Sequence, residues 1–88
     1  MAHETHPLIK RRLKQAYGHL AKVMDMMDAG RSCSDLAQQL EAIESTVRNA
    51  KRLLVQDHLE HCIIDAIADG QMSREEAMQE FSFLTKYF

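Results

Sequence analysis

No glycine or proline interrupts the chain between Gly30 and Gly70, and Leu36, Leu40, Ile43, Val47, Ala50 and Leu54 recur there at three- and four-residue spacing. That pattern predicts one helix from Ser34 to about Asp69, roughly 50 Å long at ~1.5 Å per residue. A compact chain of this size has a radius of gyration of only about 12 Å, so the rest of the molecule is too small to cover such a rod. Leu53, Val55, Leu59, Ile63 and Ile67 fall off the main face, so more than one side of the helix needs burial. An obligate oligomer follows.

The remainder reads as helix as well. Among 88 residues, 45% are hydrophobic, three are glycine and one is proline, a composition rich in helix formers and poor in turn residues. Leu13, Ala16, Leu20, Val23, Met24 and Met27 form an apolar face that predicts a first helix from about Pro7 to Ala29, stopped by Gly30. Ser32 with Asp35 resembles a capping box for the second helix. Gly70 stops that helix, and Ser73 with Glu76 opens a third through Ala77, Met78, Phe81, Leu84 and Phe88. The expectation is an all-α, three-helix protomer with a long second helix, forming a single domain over residues 1–88 with residues 1–6 as a flexible tail. Gly18, inside the first helix, costs about 1 kcal/mol relative to alanine, and close approach of another helix would offset it. Met24 and Met27 read as core rather than as thioether ligands.

Cys33, His58 and Cys62 lie at intervals of 25 and 4 residues. His58 and Cys62 stand one above the other on a helical face, the way a helix presents two ligands to one ion. Cys33 would lie roughly 37 Å from His58 along the same helix. An antiparallel partner related by a two-fold axis returns it, giving two equivalent sulfur, nitrogen, sulfur sites per dimer. Two thiolates and one imidazole favour a soft ion, and three-coordination suits Cu(I). His61 is one residue off the pair and reads as exposed, and His19 as structural or surface. The segment His58-Leu59-Glu60-His61-Cys62 is not an H-E-x-x-H motif, and no water-activating base stands out, so an enzyme is not expected. The start of the chain lacks the apolar segment of a signal peptide, no apolar run is long enough to span a bilayer, and unpaired thiols suit a reducing compartment. A cytoplasmic protein with no membrane partner is the expectation.

The net charge is only -2, but it is unevenly placed. Lys10, Arg11, Arg12 and Lys14 cluster on the first helix and Arg48, Lys51 and Arg52 on the second, while Asp65, Asp69, Glu75, Glu76 and Glu80 gather toward the end. Repeated by symmetry, the basic clusters could track phosphates.

Arg12 to Leu20 (RLKQAYGHL), Gly30 to Cys33, Gln38-Gln39-Leu40 and Asp57 to Cys62 (DHLEHC) together resemble the copper- and nickel-sensing repressors of the CsoR/RcnR type. The resemblance implies antiparallel dimers pairing into a flat homotetramer that binds operator DNA without a helix-turn-helix and releases it when metal binds. It implies Cys33, His58 and Cys62 as primary ligands, Glu80 as an acid acting through a ligand, and both basic clusters as operator contacts. Nickel and cobalt sensors of this type recruit an N-terminal nitrogen, so His3 or His6 would complete a site for Ni(II) or Co(II). Persulfide sensors of the type lack the ligand histidine that His58 supplies, and formaldehyde sensors carry an N-terminal proline that Met1-Ala2 does not. A third class is a metal-buffering or purely structural oligomer with no DNA role.

Overall fold

The computed structural model describes residues 5–87, with Cys62 described in its backbone alone. Helix α1 runs His6–Asp28 and α2 runs Cys33–Asp57. The chain continues without a break as a π-helical stretch, His58–Ile64, and then as α3, Asp65–Ala68. Helix α4, Arg74–Leu84, is followed by a 3₁₀ turn, Thr85–Tyr87. The fold is an all-α, three-helix protomer whose central member is long, and no strand occurs among the described residues. The chain divides into two compact units, Pro7–Lys51 and Arg52–Phe88 with Met1–His6.

In the unit Pro7–Lys51, α1 reverses into α2 through a glycine-capped turn. Gly30 has φ +76°, its N–H donates to the Met27 carbonyl at 3.1 Å, and the Arg31 N–H donates to that of Met26 at 3.0 Å. This is the Schellman arrangement, which satisfies the last carbonyls of a helix and favours glycine at the left-handed position. Ser32 then caps α2, its Oγ accepting from the Asp35 N–H at 3.1 Å. Ala16 and Val23 of α1 pack with Ile43 of α2, with Leu36 against them. His19 of α1 and Gln39 of α2 hydrogen-bond side chain to side chain at 2.6 Å.

Both helices follow a seven-residue repeat. Ile9, Ala16 and Val23 are buried on α1, as are Ile43, Ala50 and Asp57 on α2. Four residues on from each α1 position, and three before each on α2, lies a second apolar row that the chain leaves open: Leu13, Leu20 and Met27 on α1, and Leu40 (42% exposed), Val47 (44%) and Leu54 (43%) on α2. Met24 and Met27 were expected in the core; in a single chain they are exposed, because only the Ala16 and Val23 row meets α2. A Cβ at Gly18 would meet nothing within 4 Å, so no close helix approach within the chain accounts for this glycine.

In the second unit, α4 packs against the π-helical stretch. Val55, Ile63, Ala66 and Ala77 are buried there. Gly70, φ +74°, closes α3 with a second Schellman turn, and Ser73 caps α4 by accepting from the Glu76 N–H at 3.1 Å. Two expectations need correction here. The second helix is not α-helical throughout, and the third does not stay α-helical toward the terminus. Its last residues tighten to 3₁₀ geometry, a common way for a helix to end, with the Thr85 hydroxyl donating to the Ser82 carbonyl at 2.7 Å. Phe88, and most of the tail expected over residues 1–6, lie outside the described residues, while His6 stands in the first turn of α1.

Gly70→Ala is expected to destabilise the protein by about 1–2 kcal/mol, because alanine resists a left-handed backbone. A lower urea midpoint with an unchanged m-value would register it. Gly18→Ala, in a helical conformation with open space around it, should leave the midpoint unchanged or raise it.

Candidate metal centre and nucleic-acid interface

Cys33 is the first residue of α2, exposed and unbridged. It heads the open row, seven residues before Leu40, with Val47 and Leu54 following at the same interval. His58 follows Leu54 by four residues at the row's other end in sequence, and begins the π-helical stretch that also contains Cys62. In a helix with hydrogen bonds running five residues back, positions i and i+4 still share a face, so the His58 and Cys62 backbone positions stay on one side of the stretch. Of the other expected ligands, the Cys62 side chain and His3 lie outside the described residues.

His58 is partly covered, and its Nε2 lies 3.7 Å from Glu80 Oε2 on α4. At that separation the two groups face one another without a formed hydrogen bond. An imidazole whose Nε2 faces a carboxylate keeps Nδ1 for an ion, the arrangement in which an outer acid fixes a ligand's tautomer. His6, the first residue of α1, faces a different group: its Nε2 is 4.0 Å from Asp57 Oδ2. His61 is exposed and stands among Asp57, Glu60 and Asp65. Among the described residues, no three histidine, cysteine, aspartate or glutamate side chains are gathered to hold a metal ion.

The basic residues are on helix surfaces. Lys10, Arg11 and Lys14 are exposed on α1 and Arg12 is partly covered; Arg48, Lys51 and Arg52 are exposed on α2. Arg48 is held to Glu44 at 3.1 Å, one turn back, a pairing that phosphate would have to displace. Within the unit Pro7–Lys51, an open concavity of ≈ 580 Å³ is lined by Lys14, Gly18, His19, Lys22, Arg31 and Gln39 among others. Lys22 and Arg31 were not singled out from the sequence, being isolated cations there. Asp57, buried one seven-residue step after Ala50, is the charged residue on an otherwise apolar row.

Thiol and imidazole donors on a long central helix, with lysine and arginine clusters on the first two, are the parts of a metal-responsive regulator. The chain matches the family described as metal-sensitive transcriptional repressor over residues 5–86, and it belongs to that family, the CsoR/RcnR type. It is similar to the copper-sensing transcriptional repressor CsoR of Bacillus subtilis, 32% identical over 80 residues that cover 89% of this chain and 79% of that one. The Mycobacterium ulcerans protein of the same description is 38% identical over 60 residues, 68% of this chain and 51% of its own. The copper-sensing transcriptional repressor RicR of Mycobacterium tuberculosis is 28% identical over 72 residues, 82% of this chain and 75% of its own. No solved structure matches the chain. At family level the protein is a metal-sensing repressor of transcription, a regulator and not an enzyme. No described helix is long and apolar enough to cross a membrane.

Proposed function

We propose that the protein represses transcription by binding operator DNA as a homodimer or homotetramer, and releases it when Cu(I) binds between chains at Cys33, His58 and Cys62. The observation that carries this reading is the open apolar row of α2, Leu40, Val47 and Leu54, with Cys33 before it and His58 after it. A second copy lying antiparallel along that row would cover it and bring Cys33 of one chain to His58 and Cys62 of the other. The donor set fits the ion, since two thiolates and an imidazole suit Cu(I), and the relatives named above are described as copper-sensing. When bound, Cu(I) ties the two chains together at each end of the paired helices.

Lys10, Arg11, Arg12, Lys14, Arg48, Lys51 and Arg52 are the operator contacts in this reading, and they act by displacing counterions from phosphates. Replacing Lys51 and Arg52 with glutamine should weaken operator binding and flatten its salt dependence by about one unit of slope for each phosphate no longer neutralised. An unchanged slope, read by fluorescence anisotropy across a salt series, would remove these two from the interface.

Metal and DNA are linked through two arrangements of the assembly. If metal binds the DNA-incompetent arrangement better, it weakens DNA binding by the same factor. Glu80, beside His58 Nε2, transmits ligation to α4. Glu80→Ala is expected to retain Cu(I) binding while shrinking Cu(I)-driven release; full release by this variant would sink that role. We place the protein in the cytoplasm, where its operator lies and its thiols stay reduced.

The test of the function is anaerobic titration of the protein–operator complex with Cu(I) and, separately, Ni(II). Release at one Cu(I) per chain supports the reading. Release by Ni(II) that depends on His3 or His6 would move the effector to nickel or cobalt. Release only after treatment with an inorganic polysulfide, which transfers sulfane sulfur to a thiolate and leaves as the shorter polysulfide, with a mass shift at the cysteines, would make the protein a thiol sensor.

A further inference from the structure

We propose, on the operator-binding reading above, that the concavity between α1 and α2 seats a phosphate of the DNA backbone against α1 at Gly18, with Lys22 and Arg31 as contacts outside the two basic clusters. Nothing within the chain requires a glycine at position 18. It lies inside α1, where glycine is a poor helix former. Its backbone is not in the left-handed region that Gly30 and Gly70 occupy. A Cβ there would meet nothing within 4 Å, so no neighbour in the chain excludes a side chain. What a helical glycine still provides is close approach to the backbone by something outside the chain.

The walls of the concavity, ≈ 580 Å³ in volume, favour an anion. Lys14 and Lys22 stand four residues either side of Gly18 on the same face of α1, and Arg31 comes from the turn into α2. Among the described residues, neither lysine is paired with a carboxylate. Arg31 has one: its Nε and Nη2 both lie 3.3 Å from Asp35 Oδ2, a long, exposed pairing that phosphate oxygens can displace. His19 Nε2 donates to Gln39 Oε1 at 2.6 Å, which ties α1 to α2 at the wall and leaves the Gln39 NH2 as a further donor.

A second copy of the chain is the other candidate for a close approach. A two-fold contact through this face would set Lys14, Lys22 and Arg31 against their own copies, and like charges oppose it. A phosphate brings the opposite charge. With no Cβ beneath it, it settles low enough for the flexible stems of both lysines to reach it from either side. Lys14 already belongs to the first basic cluster, so the concavity continues that surface along α1 to the turn. Contacts of this kind position a duplex and read no bases.

The test is fluorescence anisotropy of the full chain on a labelled duplex from upstream of its own gene, and on a scrambled duplex, across a salt series. Gly18→Gln is expected to weaken binding by about tenfold and Gly18→Ala by less, although neither lowers the urea midpoint or alters sedimentation. Lys22→Gln and Arg31→Gln should each flatten the salt dependence by about one unit of slope. Each loss should be alike on both duplexes, and a loss confined to the upstream duplex would replace the phosphate with a base contact. Full affinity in Gly18→Gln with an unchanged slope in Lys22→Gln, while the unmodified protein binds, would overturn the site and leave operator binding standing. Loss of assembly in Gly18→Gln would give the glycine to a contact between chains instead. Tight binding of inorganic phosphate to the DNA-free protein, weakened by Lys22→Gln in calorimetry, would give the concavity to a free ligand. An unmodified protein with no salt-dependent affinity for either duplex would overturn this site and the operator reading together.

Discussion

Leu40→Asp with Val47→Asp is expected to convert the protein into a monomer at micromolar concentration and to abolish operator binding. Both side chains belong to the open row of α2, and neither is among the buried residues that pack α1 against α2. If a second copy covers the row, each substitution removes about 1.5–3 kcal/mol of apolar burial per chain. It also places a carboxylate where no partner awaits it, a cost of several kcal/mol more. Two such changes, repeated by symmetry, exceed the ~4 kcal/mol that separates a nanomolar from a micromolar dimer. Sedimentation equilibrium reads the result directly. Ser45→Asp, an exposed polar position on the same helix, serves as the control and should leave assembly intact. An unmodified protein that sediments as a monomer, or a double variant that stays assembled, would show that the row is not the interface. Loss of helicity together with assembly would mean that coverage of the row is needed for folding itself, as expected for an obligate oligomer.

The helices were legible because their ends are written in short-range chemistry. Gly30 and Gly70 adopt the left-handed conformation that ends a helix, and Ser32 and Ser73 accept the N–H bonds that start one. What lies inside the helices was less legible. The turn from α to π at His58 is marked by no glycine or proline, and apolar spacing does not register a shift of one residue in hydrogen bonding. The apolar stripes are legible as stripes, yet spacing alone does not divide them between the chain's own core and a row left open. Ala16 and Leu20 look alike in periodicity, and one is buried while the other is exposed. Glu80 came from family resemblance, and its position beside His58 depends on the packing of α4 against the π-helical stretch, a tertiary fact. The same holds for His6 and Asp57, which are 51 residues apart in the chain and 4.0 Å apart in space.

Cys33→Ala is expected to leave the repressor bound to its operator at every Cu(I) concentration that releases the unmodified protein. The coupling between an effector and DNA is typically ~1–3 kcal/mol, a change of about 5- to 150-fold in affinity, and this variant should reduce it to none. Cys33 is separable from the assembly and from DNA. Its side chain is exposed at the first turn of α2, the adjacent cap is made by Ser32, and it is not one of the basic residues assigned to the operator. Apo-state operator affinity and oligomeric state should therefore be unchanged, while Cu(I) affinity should fall steeply, because the proposed three-donor site would keep only two donors. His58→Ala should behave alike, and it also removes the imidazole that faces Glu80. Mixing chains gives the sharper result. A Cys33→Ala chain paired with a His58→Ala, Cys62→Ser chain leaves one complete site if ligands come from both protomers, and none if each chain builds its own. Half of the normal Cu(I) stoichiometry in that heterodimer is the expected outcome, and zero would return the site to a single chain.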